Sequence, residues 1–307
     1  MVELVLEDFG GQFITSDPVE VNGENFPGIS AYLQWFIPKN GKDVSITFIH
    51  GGGGQGAEFI TTSDGRPGWV HYFLKAGYPV YILDRPGHGR NYWNEKVLGP
   101  ALSQQSYESL IPRFAEPAVH ELWPQAKNHT RWPGDKIAKD RFMASQGPMA
   151  QTLEATQRHV ESIGAALFEI TGQTILLSHS AGGPCGWALS ALAGDRVSAI
   201  VACEPLGHPG QELALGTFKN GLVAAEFKGK HDPYDCPIAV LTAEASWFRE
   251  SNTLAVEYLR EKKKAVEHIQ LWEHGISGNG HMMMSETNSD EIAELILGWI
   301  EKVGRTE

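Results

Sequence analysis

One serine of this sequence stands in a setting that would make it a nucleophile. Ser180 lies in the segment 178–182 (SHSAG), directly after the apolar run 174–177 and before a run compatible with a helix. A sharp turn from strand to helix needs small residues two positions before and two after the nucleophile, because neighbouring backbones crowd together there. Ser178 and Gly182 meet that requirement. The pattern therefore predicts that Ser180 projects from the top edge of a sheet and acts as a nucleophile.

A histidine late in the chain would supply the base. His281 lies in the glycine-rich segment 278–281, between a strand-like run at 269–272 and the closing helical pattern. An imidazole suits this role, since its pKa near neutrality lets it take the serine proton and return it to the leaving group. His274 is the alternative, although it stands closer to the preceding strand. Chain order favours His281.

The third group should be a carboxylate at the carboxyl end of a strand, where it can orient the imidazole. Glu204 follows the apolar run 197–203, and Glu244 follows the run 238–241. In the common hydrolase arrangement the acid follows the later strand, which favours Glu244. A glutamate side chain is long enough to reach the histidine from the earlier strand, which favours Glu204. The residues by themselves leave both open.

A glycine run predicts the groups that would stabilise a developing negative charge. His50 and the glycines 51–54 come immediately after an apolar run. Backbone N–H groups near the oxygen of a tetrahedral intermediate commonly contribute about 3 kcal/mol each. We expect the amides of Gly52 and Ala181 to be these donors. A phosphate-binding loop is disfavoured, because its lysine and its serine or threonine are missing.

The elements that must position these groups alternate along the chain. Strands separated by helices predict an α/β fold with a mostly parallel, doubly wound sheet, which begins antiparallel with a hairpin-like connection at 38–41. The closing helix, with an apolar face from Ile292 to Val303, starts with the potential capping pair Asn288 and Glu291. The predicted strands are 32–37, 44–49, 80–83, 174–177, 197–202 and 238–241, and a helix is predicted at 69–75.

Two intervals interrupt this rhythm, and both are interpreted as insertions into a single domain spanning 1–307. The segment 91–147 is expected to form a lid whose aromatic side chains line a pocket, or else a satellite core; the second interval is 207–233. The aromatic residues of the first interval are Tyr92, Trp93, Tyr107, Phe114, Trp123, Trp132 and Phe142.

Composition excludes several kinds of partner. The net charge of −12 and the pI near 5.5 would repel a phosphate backbone, so nucleic acid is not expected. No apolar stretch is long enough to cross a membrane, and residues 1–3 open without a signal-peptide layout. We therefore expect a cytoplasmic protein, with a removed leader as the alternative. The spacing of histidines and acids predicts no metal site, and no cofactor is expected.

These motifs together resemble the α/β-hydrolase superfamily, and more closely a group of bacterial and fungal carboxylesterases whose catalytic acid is a glutamate after the sixth strand. The resemblance implies Ser180 as nucleophile, Glu204 as acid and His281 as base, with Gly52 and Ala181 as amide donors. It also implies a dimer. It rests on residues 31–35 (AYLQW), 50–51 (HG), 63–66 (SDGR), 68–69 (GW), 177–180 (LSHS), 201–205 (VACEP) and 278–284 (GNGHMMM).

The chain departs from this group at the glycine run and in the lid. A similar esterase has two adjacent cysteines at the positions of Gly52 and Gly53, and the 91–147 segment shows little likeness. We expect a serine hydrolase that cleaves a small carboxylic ester or lactone through an acyl-enzyme. The alternatives are acyl transfer or a lyase or isomerase step with the same three residues, and a binding module without turnover.

Overall fold

The structure is a computed structural model that describes residues 4–134 and 136–305. Residues 1–3, on which the signal-peptide argument drew, lie outside the described residues. Asp135, within the predicted lid, lies outside them too, as do residues 306–307 at the end of the predicted domain.

Eight strands form the central sheet in the order β1-β2-β4-β3-β5-β6-β7-β8. From β4 onward in this order all neighbours are parallel, whereas β1 with β2 and β2 with β4 are antiparallel. The strands are β1 (Leu6–Thr15), β2 (Ser30–Pro38), β3 (Ser45–Ile49), β4 (Val80–Asp84), β5 (Thr174–His179), β6 (Val197–Cys203), β7 (Ile238–Thr242) and β8 (Val266–Gln270).

The predicted hairpin between the second and third strands is wrong. Residues 38–41 do connect β2 to β3, but β4 lies between these two strands in the sheet. The chain crosses over because β3 pairs in parallel with β4 and β5, with register pairs such as Ile46 to Val80 and Ile46 to Ile175. Strand β1, which the sequence did not reveal, supplies the expected antiparallel edge.

Helices cover both faces of the sheet, as the doubly wound prediction requires. Helices α1 and α9 share one core with the sheet, and α6, α7 and α8 share the other. The central strands are therefore apolar on both faces, which is why they appear as continuous runs. The helices are α1 (Trp69–Lys75), α2 (Glu95–Leu98), α3 (Tyr107–Phe114), α4 (Pro117–His120), α5 (Lys136–Ser145), α6 (Leu153–Thr171), α7 (Gly182–Ala193), α8 (Arg249–Glu261) and α9 (Ser289–Val303).

The 91–147 segment leaves the sheet after β4 and returns before α6. It carries α2 to α5, and a short antiparallel ribbon pairs Ala101–Leu102 with Met149–Ala150. The second interval, 207–233, holds the ribbon of Glu212–Leu213 with Gly216–Thr217. Both emerge at the carboxyl ends of parallel strands, the edge where open α/β sheets bind ligands. None of the described helices is long and apolar enough to span a bilayer.

Candidate active site

Ser180 lies in the tight turn between β5 and α7. Its φ angle is +53°, a left-handed value that residues other than glycine seldom adopt. Backbone bonds hold it there, since the Ser180 N–H donates to the Cys203 carbonyl at 3.0 Å and the Ser180 carbonyl accepts from the Leu206 N–H at 2.9 Å. A Cβ on Gly182 would lie 2.6 Å from the carbonyl oxygen of His50, so only glycine fits. The turn therefore holds Ser180 at the carboxyl edge of the sheet.

His281 and Glu204 meet at the same edge, although 77 positions separate them in sequence. The Nδ1–H of His281 donates to Oε2 of Glu204 at 3.0 Å, and both side chains are buried. Glu204 follows β6 directly, and its Oε1 accepts the N–H of Ala243 at 2.7 Å. Nε2 of His281 has no hydrogen-bond partner among the described residues. The carboxylate thus orients the ring and leaves Nε2 free to receive a proton.

Ser246 also holds Glu204, and sequence reasoning did not find it. Its Oγ–H donates to Oε2 of Glu204, and the same Oγ accepts the N–H of Phe248 at 3.0 Å. Ser246 lies in the loop after β7, so the contact joins loops 42 positions apart. No local pattern marks this serine; a polar residue in a loop after a parallel strand is the only signal.

Burial opposes charge on both members of the His281–Glu204 pair. Burial raises the pKa of the Glu204 carboxyl and lowers the pKa of the His281 imidazole. The positive charge of Arg113 lowers the pKa of His281 further. The imidazole packs between aromatic rings, with Phe248 stacked at 4.7 Å and Trp247 at 4.7 Å between ring centroids. These surroundings keep the ring neutral at neutral pH, which is the form that accepts a proton.

Two backbone amides near Ser180 are unpaired. A Cβ on Gly52 would lie 3.4 Å from the Cβ of Ala181, so these residues are immediate neighbours across the cavity mouth. Neither the Gly52 N–H nor the Ala181 N–H donates to an acceptor within the described part of the chain. Both residues are partly buried and line the cavity, so an oxygen atom there can accept from these amides. This pair is therefore available to an oxygen atom of a ligand.

A cavity of about 260 Å³ joins these groups. Ser180, His281, Gly52 and Ala181 all line it. Its other walls are mostly apolar, and of the seven aromatic residues of the 91–147 segment, Phe114 and Phe142 contribute to them. The remaining apolar lining includes Leu110, Leu206, Leu213, Leu215, Trp247 and Phe248. The volume suits a small ligand with an apolar part.

The two rival residues do not reach this arrangement. Glu244 accepts the Gly278 N–H on its Oε2 at 2.8 Å, and its Oε1 accepts from Asn128 at 3.4 Å. His274 is exposed in a short 3₁₀ turn after β8. Of the two glutamates that the residues left open, Glu204 is the one that contacts His281.

Asp84 holds the backbone of two loops beside the site. Its Oδ1 accepts the Gly56 N–H at 2.7 Å, and its Oδ2 accepts Nε of Arg90 at 2.7 Å. His50 is likewise occupied, because its Nε2 accepts the Arg85 N–H at 3.0 Å and its Nδ1–H donates to the Gly51 carbonyl at 2.8 Å. Both residues shape loops beside the site.

A buried polar cluster holds the loop that carries His281. Glu286 accepts three hydrogen bonds, from His129 at 2.8 Å, the Gly280 N–H at 2.8 Å and Asn279 at 2.7 Å. Because His129 belongs to the 91–147 segment, the cluster also ties that segment to the His281 loop. The expected capping pair of α9 is wrong, since Asn288 makes no side-chain cap and bonds to Asn279 instead.

Replacing Glu286 with alanine is expected to lower the free energy of unfolding by at least about 3 kcal/mol. Each of the three buried donors left unpaired costs about 1–3 kcal/mol. Urea unfolding followed by circular dichroism measures the loss. Glu286→Gln, which keeps an acceptor oxygen, should lose less. Glu24→Ala is the control because Glu24 pairs with Lys96 on the exposed surface, and an equal loss in that variant would contradict the prediction.

Comparison with known proteins decides the family. A model of the alpha/beta hydrolase family matches residues 48–260, which is more than half of the chain. The chain belongs to the alpha/beta hydrolase family. The order of the eight strands in this hydrolase and the position of Ser180 after β5 agree with that membership. The predicted fold class is therefore confirmed.

A curated relative extends the comparison over nearly the whole hydrolase. The protein named "Probable secreted lipase phiG", from a fungal species (strain ATCC 74256), is 31% identical over 323 residues, covering 91% of the hydrolase and 88% of the relative. The prediction of an esterase-like hydrolase is confirmed at this level. The prediction of a cytoplasmic location is wrong, because this relative is named as secreted.

Solved structures support the fold. A structure titled as that of a novel bacterial esterase superposes with a TM-score of 0.69 at 24% identity, covering 98% of both chains. A structure from work on two fungal esterases from Rhizomucor miehei superposes with a TM-score of 0.50 at 13% identity, covering 99% of the hydrolase and 87% of that chain. At these identities the likeness concerns the fold alone.

Proposed function

We propose that this hydrolase cleaves a small carboxylic ester or lactone through an acyl-enzyme on Ser180, with His281 as base and Glu204 as its orienting acid. The observation that supports this best is the state of the His281 ring. Its Nδ1 is bound by Glu204, its Nε2 has no partner in the part of the chain that the structure describes, and the ring lines the same cavity as Ser180.

In the first half of the reaction, Ser180 Oγ attacks the ester carbonyl and His281 Nε2 takes the hydroxyl proton. The amides of Gly52 and Ala181 then bind the oxyanion of the tetrahedral intermediate. Glu204 stabilises the imidazolium through Nδ1–H, held in place by Ser246 and the Ala243 N–H. His281 returns the proton to the departing alkoxide, and the acyl group stays on Ser180 as an ester.

In the second half, a water molecule enters, gives a proton to His281 and attacks the acyl carbon. Collapse of the second intermediate returns the proton to Ser180 Oγ and releases the carboxylic acid. With a lactone, the alcohol and the acid leave as one hydroxy acid, because the ring ties them together.

The chain is proposed to form one domain with the 91–147 segment as its lid. This segment contributes Leu110, Arg113, Phe114 and Phe142 to the cavity, and His129 ties it to the His281 loop. Closing the cavity excludes water from the oxyanion.

The hydrolase is also proposed to be secreted, because its curated relative is named as a secreted lipase. The dimer that the family resemblance implies stays a prediction.

A fluorophosphonate probe tests this function directly. We expect intact-mass spectrometry to find one adduct per chain, and peptide mapping to place it on Ser180. Ser178→Ala is the matched control, because Ser178 lies two residues earlier with a buried, unpaired hydroxyl, and it should label like the wild type. An adduct on another serine, or none, would contradict the proposal.

A further inference from the structure

Among the described residues that line the cavity, Arg113 is the only lysine or arginine. It lies in the last turn of α3, inside the 91–147 segment. The next residue, Phe114, contacts the His281 ring at 5.5 Å between centroids, and the charge of Arg113 lowers the pKa of His281. The guanidinium therefore lies beside the proposed reaction centre.

Only neutral groups hold this guanidinium. Its Nε–H donates to the Ser109 carbonyl at 2.9 Å, and Nη2 donates to Gln105 Oε1 at 2.8 Å and to Ser109 Oγ at 3.0 Å. In residues 4–134 and 136–305, Nη1 has no acceptor and no carboxylate forms an ion pair with Arg113. Burial lowers the pKa of Arg113, and no nearby acid offsets that effect. The site thus holds a full positive charge and a free N–H₂ group.

An acid also lines the cavity, and burial opposes its ionisation. Glu58 lines the cavity, and its buried Oε1 has no partner. Burial raises the pKa of Glu58 to about 8, outweighing the nearby charge of Arg85, while the charge of Asp84 acts in the same direction as burial. The donors of Arg113 bond to Ser109 and Gln105, and no ion pair between Arg113 and Glu58 forms among the described residues.

Arg113 is half-buried, so water can solvate its Nη1 in the open cavity, and a ligand that displaces this water must supply an acceptor in its place. We propose that Arg113 selects esters that carry a second, anionic group, a carboxylate, which pairs with its Nη1 while the ester carbonyl lies at Ser180. Arginine suits this pairing because its planar fork matches a carboxylate. The inference rests on the proposed function, since it names the substrate class of the same site.

The net charge of −12 does not oppose this recognition. Salt at physiological concentration screens exposed charges beyond about 8 Å, whereas a partly buried pair is screened much less. The negative surface charge slows the approach of an anionic ester, and Arg113 attracts that ester only inside the cavity. The preference for anionic esters should therefore be measured as kcat/KM at physiological salt.

The test compares matched esters at pH 7. One pair carries the charge on the acyl side, the 4-nitrophenyl monoester of adipic acid against 4-nitrophenyl hexanoate; the other carries it on the alcohol side, 4-acetoxybenzoate against phenyl acetate. We expect the wild type to prefer the charged member of one pair. Arg113→Gln should reduce that kcat/KM ratio about 10- to 100-fold, the effect of a lost hydrogen bond between charged groups.

Two further variants sharpen the test. Arg113→Lys keeps the positive charge but loses the planar guanidinium. This variant should retain part of the wild-type preference, measured as the kcat/KM ratio of the charged to the neutral ester. Lys136→Gln removes a charge from an exposed position of the same segment, so its ratio should equal that of the wild type. A ratio that falls equally in Lys136→Gln would overturn the inference.

An electrostatic role toward His281 alone gives a different result. Because Arg113 lowers the pKa of His281, its loss would move the acid limb of the pH profile to higher pH for charged and neutral esters alike. That shift with an unchanged ratio overturns the inference. Hydrolysis of neutral esters without any charge preference also overturns it and leaves the proposed function intact. No hydrolysis of any ester and no adduct on Ser180 would sink the proposed function itself.

Discussion

Replacing Ser180 with alanine is expected to lower kcat for a 4-nitrophenyl ester by about 10⁶-fold, the scale seen when a serine protease loses its nucleophile. The variant keeps the apolar cavity and the amides of Gly52 and Ala181, so a weak background rate should remain. The loss should fall on kcat, with KM changed little, because the hydroxyl forms its new bond only on the way to the transition state. Initial rates at saturating ester measure it.

The control for this variant is the neighbouring serine. Ser178→Gly introduces the residue that usually stands two positions before a hydrolase nucleophile, and kcat should stay within about tenfold of the wild type. Circular dichroism of both variants shows whether the turn still folds. A Ser180→Ala enzyme within a hundredfold of the wild type would mean that another nucleophile performs the reaction.

The second large effect is expected at Glu204. Glu204→Gln should lower kcat by about 10⁴-fold, because the amide keeps an oxygen for the Ala243 N–H but directs N–H₂ at His281 Nδ1. The ring then adopts the tautomer with hydrogen on Nε2, which cannot take a proton from Ser180. The substitution changes little in volume, so the stability should fall less than the activity.

Glu244→Gln is the matched control, since it is the same chemical change at the other glutamate that the sequence offered. Glu244 accepts the Gly278 N–H at 2.8 Å, and a glutamine oxygen can still accept it. We expect a loss of less than about tenfold in kcat. A larger loss at Glu244 than at Glu204 would reassign the acid, and it would also require the loop after β7 to move.

The sequence located most of the sheet because parallel strands buried on both faces are short apolar runs. The predicted helix 69–75 and all six predicted strands agree with the structure to within about two residues at each end. Strand β1 was missed because most of its residues are exposed at the sheet edge, so it does not appear as an apolar run. The hairpin at 38–41 was misjudged because strand adjacency depends on β4, which comes some 40 positions later.

The places of the aromatic residues in the 91–147 segment could not be predicted from the sequence either. Seven aromatic residues were named in 91–147, and only Phe114 and Phe142 line the cavity, while Trp132 is buried in a core and Tyr92 is exposed. An aromatic side chain suits a core, a cavity wall or a surface contact equally well. The path of the chain decides among them, and no local pattern encodes that path.

The sequence by itself indicated the turn at Ser180 and an esterase-like hydrolase, because the strand, the small residues of the turn and Gly182 are adjacent in the chain. It named two candidate glutamates but not which one contacts His281. Only the tertiary structure decided that Glu204 meets His281, that Ser246 and the Glu286 cluster hold the pair, and that Arg113 lies in the cavity without an ion pair among the described residues. Each of these contacts joins separate loops at the sheet edge, so it exists only after the strands have taken their order.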